Sequence, residues 1–340
     1  MGVIARLDRY QRRHRWIGLP LAVLYKYVDD QGGYLAALIT YYGFLSVFPL
    51  LLLFVTVLGF VLHGDAELQQ QFLGSALVQF PIVGDQIGRD IHAVHGSIAA
   101  VVVGVLACLY GGIGVVQALQ NALNATWAVP RNSRPNPVTS RLRSLGLLAV
   151  FGGGLLATTV VSVLSSTAGA AAGGVGGQLI RAGAILVAVA LNGVLFTVVF
   201  RVLPARSVTV RQVRGGALGV AVGWQVLQIL GTYLVGHQLK HASASYGVFG
   251  VVLGLIAFLY LAASLVVFCA ESNVVRAEKL WPRSLLTPFT DNVQLTGGDR
   301  RAYTSYAAAQ RAKGFQEINT DFHPPESAGG QGSTGADQPR

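Results

Sequence analysis

The feature that most constrains this chain is an uninterrupted apolar stretch, residues 35–62, which reads LAALITYYGFLSVFPLLLLFVTVLGFVL and contains no charged residue. As a helix it would be about 42 Å long, at about 1.5 Å per residue, and would exceed a hydrocarbon core of about 30 Å. Pro49 would break a soluble helix, but neighbouring helices in a membrane can satisfy the carbonyl group that it frees. The stretch therefore predicts a kinked transmembrane helix.

The overall composition supports the same class. Of 340 residues, 52% are hydrophobic and only 12% are charged, and the mean hydropathy is +0.53. A soluble domain cannot bury so much apolar surface, so the sequence predicts an integral membrane protein. Cys108 and Cys269 both fall in apolar segments, and their number and spacing exclude a disulfide framework and a zinc motif.

Five further apolar segments follow the first. We expect an all-α membrane protein with six transmembrane helices, in a membrane domain of residues 35–271. Residues 1–34 should form a basic interfacial segment, although a solvated basic leader is an alternative, and residues 272–340 a cytoplasmic tail that is mostly disordered from about residue 287. Two short amphipathic helices should lie outside, between the first and second spans, in residues 63–97. The five further spans are predicted at 98–119, 144–168, 181–202, from about 215, and 248–270.

The basic residues alternate between the predicted loops. Six precede the first span, four lie between spans two and three, and four lie between spans four and five, whereas the other loops carry one at most. Because Lys and Arg in short loops collect on the cytoplasmic side, both termini are expected in the cytoplasm.

Polar side chains recur on single faces of several spans and predict a shared cavity that opens toward the cytoplasm. Glu271, at the inner end of span six, would face lipid unless it were paired, and Arg201 lies at a similar depth as its candidate partner. The alternative is a dry bundle in which the same side chains bond to one another. The predicted cavity residues are Tyr42, Ser46, Tyr110, Gln117, Asn121, Asn124, Arg201, Gln225, Gln228 and Glu271.

Four segments carry a family resemblance. Residues 36–51, AALITYYGFLSVFPLL, resemble the opening signature of the YihY/BrkB family, and residues 119–127, LQNALNATW, resemble its segment after the second helix. Residues 200–204 (FRVLP) and 245–247 (SYG) are similar to two later motifs. The resemblance covers about residues 20–280. It implies a bacterial inner (plasma) membrane protein with six helices, connected with envelope integrity, virulence, or solute and lipid traffic.

Two functions remain open after this resemblance. One is a transporter or flippase-like carrier of an amphiphilic or lipid-related envelope component, and the other is a non-transporting scaffold for envelope integrity. The expected partners are membrane lipids, an amphiphilic substrate, and either further copies of the chain or other envelope proteins. The two functions differ in what the polar faces of the helices do. In a transporter these faces line a water-filled or lipid-headgroup cavity, and in a scaffold they close on one another.

The residues argue against catalysis. A ribonuclease label has been attached to some relatives, but the predicted inner loops lack the clustered His, Asp and Glu that metal-assisted RNA hydrolysis needs. There is no P-loop lysine motif either. We therefore expect no enzyme activity, no cofactor and no nucleic-acid partner.

Histidines are concentrated in the predicted outer loops. His92 and His95 are three residues apart, and His237 and His241 four apart, so each pair would share a helical face; His63 lies in the same predicted loop as the first pair, and Asp85 and Asp90 are near that pair in sequence. Such pairs could bind zinc or respond to pH. Interfacial histidines ordinarily serve amphipathic packing, and we expect no metal site.

The charge alternation yields a topology prediction. A reporter fused within residues 131–143 or after Arg340 should read as cytoplasmic, and one within residues 65–90 as external, because basic loops stay inside. Paired phosphatase and fluorescent-protein fusions measure this directly. A cytoplasmic reading for the acidic 65–90 loop would overturn the map.

Overall fold

The computed structural model describes residues 3–61, 98–238 and 244–323. Within these ranges the chain forms nine α-helices, one short 3-10 turn at Arg131–Ser133, and no β-strand. The helices are α1 Val3–Arg13, α2 Arg15–Asp29, α3 Gly32–Val61, α4 Ile98–Thr126, α5 Pro137–Ala172, α6 Gly174–Val202, α7 Val210–Gln238, α8 Ala244–Ala277 and α9 Gly297–Ala309. The all-helical expectation is confirmed for these residues.

The long helices α3 to α8 contain the six predicted spans. Among the described residues, four stretches are long and apolar enough to cross a membrane: Gly104–Thr126, Gly174–Val202, Val210–Gly231 and Val252–Ala277. Gly32–Val47 is a shorter apolar stretch. A multi-pass membrane protein follows from these four, while the full count of six spans stays a prediction. The two external amphipathic helices predicted in residues 63–97 lie outside the described residues.

Helices α7 and α8 approach each other closely along a row of glycines of α7. A Cβ atom on Gly216 would lie 2.4 Å from the Cys269 carbonyl oxygen, and one on Gly223 would lie 2.7 Å from Leu265 Cδ2. The Gly216 amide also donates to Asn273 Oδ1 over 2.7 Å. Gly219 contacts Cys269 in the same row. Gly215, Gly219 and Gly223 recur every four residues on this face, and an added Cβ at each of them would contact a side chain of α8.

The largest cluster of buried apolar side chains lies where α4, α6, α7 and α8 approach the 127–134 and 203–209 connections. Phe200, Leu203, Val213 and Val275 are essentially inaccessible to solvent there, and Trp127 is 3% exposed. This end of the helix bundle therefore contains a core that is buried from solvent like the interior of a soluble domain.

The C-terminal region is more ordered than its composition predicts. The prediction that the tail is mostly disordered from about residue 287 is wrong for residues 287–309, because α9 forms and its cap is buried. Thr296 and Asp299 make reciprocal side-chain to backbone hydrogen bonds at its N-terminus, and Asp299 is completely buried. Residues 324–340 lie outside the described residues.

The glycine row gives a stability prediction. Gly216→Ala should lower the free energy of unfolding by about 1–3 kcal/mol, since the new methyl group would overlap a backbone carbonyl that cannot move aside. Thermal unfolding of the purified protein in detergent measures the change. Gly146→Ala is the matched control, because that helical position in α5 has no atom within 4 Å of the added Cβ. Equal stability of the two variants would contradict the packing.

Candidate functional site

Three amide side chains of α4, two of them predicted to line the cavity, bind the chain's own loops. Asn124 is buried and its Oδ1 accepts a hydrogen bond from the Ala205 amide over 2.7 Å. Asn121 is exposed and its Oδ1 accepts from Arg134 Nη1 over 3.1 Å. Gln120 accepts from the Ser140 hydroxyl. These contacts fasten the C-terminal end of α4 to the connections that follow α4 and α6 and to the first turn of α5.

The predicted residues of the first span pack against glycines of α4. A Cβ on Gly114 would meet the Tyr42 ring, and one on Gly111 would lie 2.7 Å from Ser46 Cβ. This contact joins α3 closely to α4.

The remaining predicted amides and Tyr110 are spread over two helices. Tyr110 is 67% exposed, and Gln117, Gln225 and Gln228 are half-buried. The shared cavity itself stays a prediction.

The predicted ion pair between Glu271 and Arg201 is wrong. Glu271 is completely buried, and the Lys26 ammonium lies 3.3 Å from its Oε2. Arg201 is exposed and lines a groove on α6 instead. The depth of Arg201 along its helix suggested it as the partner of Glu271. The actual partner, Lys26, belongs to α2, which packs against α8 and places Lys26 near the C-terminal end of α8.

Lys26, Asp30 and Glu271 form a buried charge cluster. Lys26 Nζ lies 2.5 Å from Asp30 Oδ2, and the three side chains are 1%, 6% and 0% exposed, respectively. Burial raises the pKa of the Asp30 carboxyl above its ordinary value, and this effect exceeds the opposing attraction of Lys26. Burial disfavours the charge on Lys26, but Glu271 and Asp30 outweigh it and raise the pKa of that ammonium.

A second ion cluster, which we call the clasp, adjoins the first through Asp29 and Tyr306. Its centre is Arg283, whose Nε donates to Asp299 Oδ1 over 2.5 Å and whose Nη2 donates to Asp29 Oδ2 over 3.1 Å. The guanidinium carbon lies 5.4 Å from the Tyr303 ring centroid. The clasp thus ties α2 to α9 and to the segment between α8 and α9. The buried Arg283–Asp299 pair and its contact with the partly exposed Asp29 hold α2 and α9 together.

The first two helices reach the same region. Gln11 Nε2 donates to the Arg283 carbonyl over 2.6 Å, and Asp8 Oδ1 accepts from the Leu285 amide over 2.8 Å. The basic N-terminal segment therefore packs on the C-terminal segment, while its predicted contact with lipid headgroups stays a prediction.

A groove of about 450 Å³ runs between α6 and α7. Its wall is almost entirely apolar, and its Val194 and Leu218 are 65% and 56% exposed, so it is open along the side of the bundle. Arg201 in the last turn of α6 and Arg214 in the second turn of α7 stand at one end. The lining residues are Val189, Ala190, Gly193, Val194, Thr197, Val198, Arg201, Val210, Arg214 and Leu218.

Two pairs of residues in these clusters were not predicted, although their spacing in the sequence is recognisable. Lys26 and Asp30 are four residues apart, a spacing that pairs opposite charges on one helical face. Thr296 and Asp299 have the spacing of a helix-capping box. The long-range partners had no such signal. His63, His92, His95 and His241 lie outside the described residues, so the zinc alternative stays untested there.

The clasp predicts how the C-terminal helix is held. Asp299→Asn keeps the size of the side chain but removes a buried charge from Arg283, so α9 should loosen by about 3 kcal/mol or more while the long helices stay folded. Trypsin cleavage after Arg300 and Arg301 should accelerate at least tenfold. Asp291→Asn, at an exposed loop carboxylate, is the control. Equal cleavage rates in the two variants would contradict a holding role for the clasp.

Comparison with known proteins places these features in a family. Residues 23–288 match the family described as Virulence factor BrkB. The chain is 28% identical to the inner membrane protein YhjD of Escherichia coli over 268 residues, which cover 72% of this chain and 77% of that protein. It is 22% identical to the putative ribonuclease-like protein YfkH of Bacillus subtilis over 264 residues, covering 74% and 92%, respectively.

No solved structure matches the chain. The matched range includes Lys26, Asp30, Glu271 and Arg283, and also both arginines of the groove. With its apolar helices and this match over most of its length, the chain is a membrane protein that belongs to the BrkB virulence factor family.

Proposed function

We propose that this chain is a transporter of the bacterial inner membrane that carries an amphiphilic envelope component with an anionic headgroup. In this proposal α3 to α8 all cross the membrane, and both termini and the basic connections lie in the cytoplasm. The likeness to an inner membrane protein supports the location.

The observation that carries the proposal is the groove between α6 and α7. From Val189 to Arg201 its wall extends over about 18 Å of helix, at about 1.5 Å per residue, which compares with about 15 Å for half of a hydrocarbon core. The wall offers an acyl chain an apolar surface of one leaflet's depth. Val194 and Leu218 are exposed along this wall, so an acyl chain can enter the groove sideways from the lipid.

The polar end of the groove selects the headgroup. Within the described residues, neither Arg201 nor Arg214 has a carboxylate within 4.0 Å, whereas Arg206 nearby pairs with Glu278 at 2.8 Å. Guanidinium groups bind phosphate oxygens through two parallel hydrogen bonds. Basic pockets between transmembrane helices on the cytoplasmic side suit anionic lipid headgroups. An amphiphile that bears a phosphate fits both ends of the groove.

A non-transporting scaffold is the second candidate. It is favoured by the hydrogen bonds of Asn124, one of the predicted cavity residues, and of its neighbour Gln120, because both bind the chain's own backbone at the end of α6. A scaffold would bind lipid without moving it, so binding and movement have to be measured separately.

Reconstituted vesicles provide the test. Vesicles with the purified protein and a tail-labelled fluorescent phosphatidylglycerol should lose their inner-leaflet fluorescence to an external quencher faster than protein-free vesicles. The double variant Arg201→Gln, Arg214→Gln should bind this lipid at least tenfold more weakly, since it loses two charge-assisted contacts. The same label on phosphatidylcholine should move more slowly than on phosphatidylglycerol.

Arg211→Gln is the matched control, because Arg211 is an exposed arginine of the same helix that does not line the groove. It should leave binding and movement unchanged. Binding that depends on the two arginines without any movement of lipid would favour the scaffold. Binding that is indifferent to the two arginines would overturn the proposed headgroup site.

A further inference from the structure

The buried charge cluster has more carboxyl groups than it can hold ionised. Lys26 supplies one positive charge, and Asp30 and Glu271 supply two carboxyls, all at most 6% exposed. If both carboxyls were ionised, a net negative charge would be buried at the end of α8. Burying an uncompensated charge costs several kcal/mol.

The hydrogen bonding shows the same excess. When both carboxyls are ionised, neither Glu271 oxygen receives a hydrogen bond, although Lys26 Nζ is 3.3 Å away and the Asp30 carboxyl lies against it. Two carboxylates repel each other, but a carboxylic acid donates to a neighbouring carboxylate. A single proton between the two groups would supply the missing donor and cancel the excess charge.

We propose that Asp30 and Glu271 share one exchangeable proton and form a proton-binding site that holds the C-terminal segment closed over the inner end of α8. With the proton bound, the cluster contains one ammonium, one carboxylate and one carboxylic acid and is neutral. Without it, the cluster is anionic and buried. The proposal does not depend on what the groove carries.

The groups around the cluster come from α2, from α9, from the segment between α8 and α9, and from α8 itself. From α2, Asp29 adds a carboxylate next to Asp30, and from α9 the Tyr306 ring covers Lys26 at 5.3 Å and its hydroxyl lies 3.4 Å from Asp29 Oδ2. Arg283 carries one positive charge against the carboxylates of Asp29 and Asp299, so the clasp has no spare positive charge to compensate the cluster. One turn earlier on α8, Val267 belongs to a buried apolar cluster with Ala36, Ala122 and Ala263.

The direction of the pH effect follows from the raised pKa of Asp30, whose first cause is burial. A carboxyl whose pKa is raised in the closed state favours that state most at low pH. Its contribution is lost as the pH rises above the ordinary value of an aspartate. Rising pH therefore removes the proton and pushes α9 off the cluster, while falling pH closes it.

Infrared spectroscopy of the full-length protein in lipid nanodiscs tests for the proton. A carbonyl band of a protonated buried carboxyl should be present at acidic and neutral pH and fade as the pH rises. Asp30→Asn and Glu271→Gln should each abolish it, because the remaining carboxyl can ionise beside Lys26. Glu278→Gln should leave it unchanged, since that carboxylate is exposed and pairs with Arg206. Absence of the band in the unmodified protein would overturn the site, whatever the variants do.

Spin labels test the closure. Labels at Gln310→Cys and Thr139→Cys, in a background with Cys108→Ala and Cys269→Ala, report the distance between the end of α9 and the start of α5, both exposed positions. At low pH one short distance is expected, and at high pH a broader and longer distribution. Glu271→Gln should keep the short distance throughout, because its cluster stays neutral. A distance independent of pH without this substitution would overturn the link between proton and closure.

Discussion

A single buried ammonium group organises the end of the bundle where α2 meets the C-terminal part of α8. Lys26 sits between the carboxyls of Asp30 and Glu271, and removing such groups from water costs several kcal/mol for each ion. This cost is offset only while α2 stays docked on α8. Because Asp29 and Asp30 are neighbours, the same docking presents one carboxylate to Lys26 and the next to Arg283. The position of α2 therefore also decides whether the C-terminal segment can close.

The groove and the charge cluster are mechanically connected through α7 and α8. Helix α7 forms one wall of the groove and packs on α8 through Gly216 and Gly223, where a backbone carbonyl and a leucine leave no room for a methyl group. Closely packed helices move as one body, because interdigitated contacts cannot be deformed gradually. A shift of α8 at its Glu271 end would therefore be transmitted to the wall that carries Arg214 and Leu218.

Four of the predicted membrane helices are long and apolar enough to cross a membrane, whereas the predicted partner of Glu271 is wrong, and both outcomes have physical reasons. Long apolar segments must be helical in lipid whatever their neighbours are, so hydropathy alone locates α6 and α8. The partner of Glu271 depends on how α2 folds back, and depth along the spans could not indicate Lys26. The composition of the tail, averaged from about residue 287 onward, also predicted disorder where α9 forms. Its capping pair, Thr296 and Asp299, could have been recognised from spacing, but its burial against Arg283 could not.

The location of the charge cluster limits what a proton bound there can do. Glu271 is six residues from the end of α8, about 9 Å along a helix, whereas a hydrocarbon core is about 30 Å thick. Helices α3 and α4 contain no charged residue. In the described helices, therefore, the charged groups sit near helix ends and form no chain of carboxyls that could pass a proton across the membrane. A proton on Asp30 or Glu271 would thus exchange with one side only. In the transport mechanism that we propose, such a proton could bias an opening at that side, as a gate does, without itself supplying the free energy for net transport.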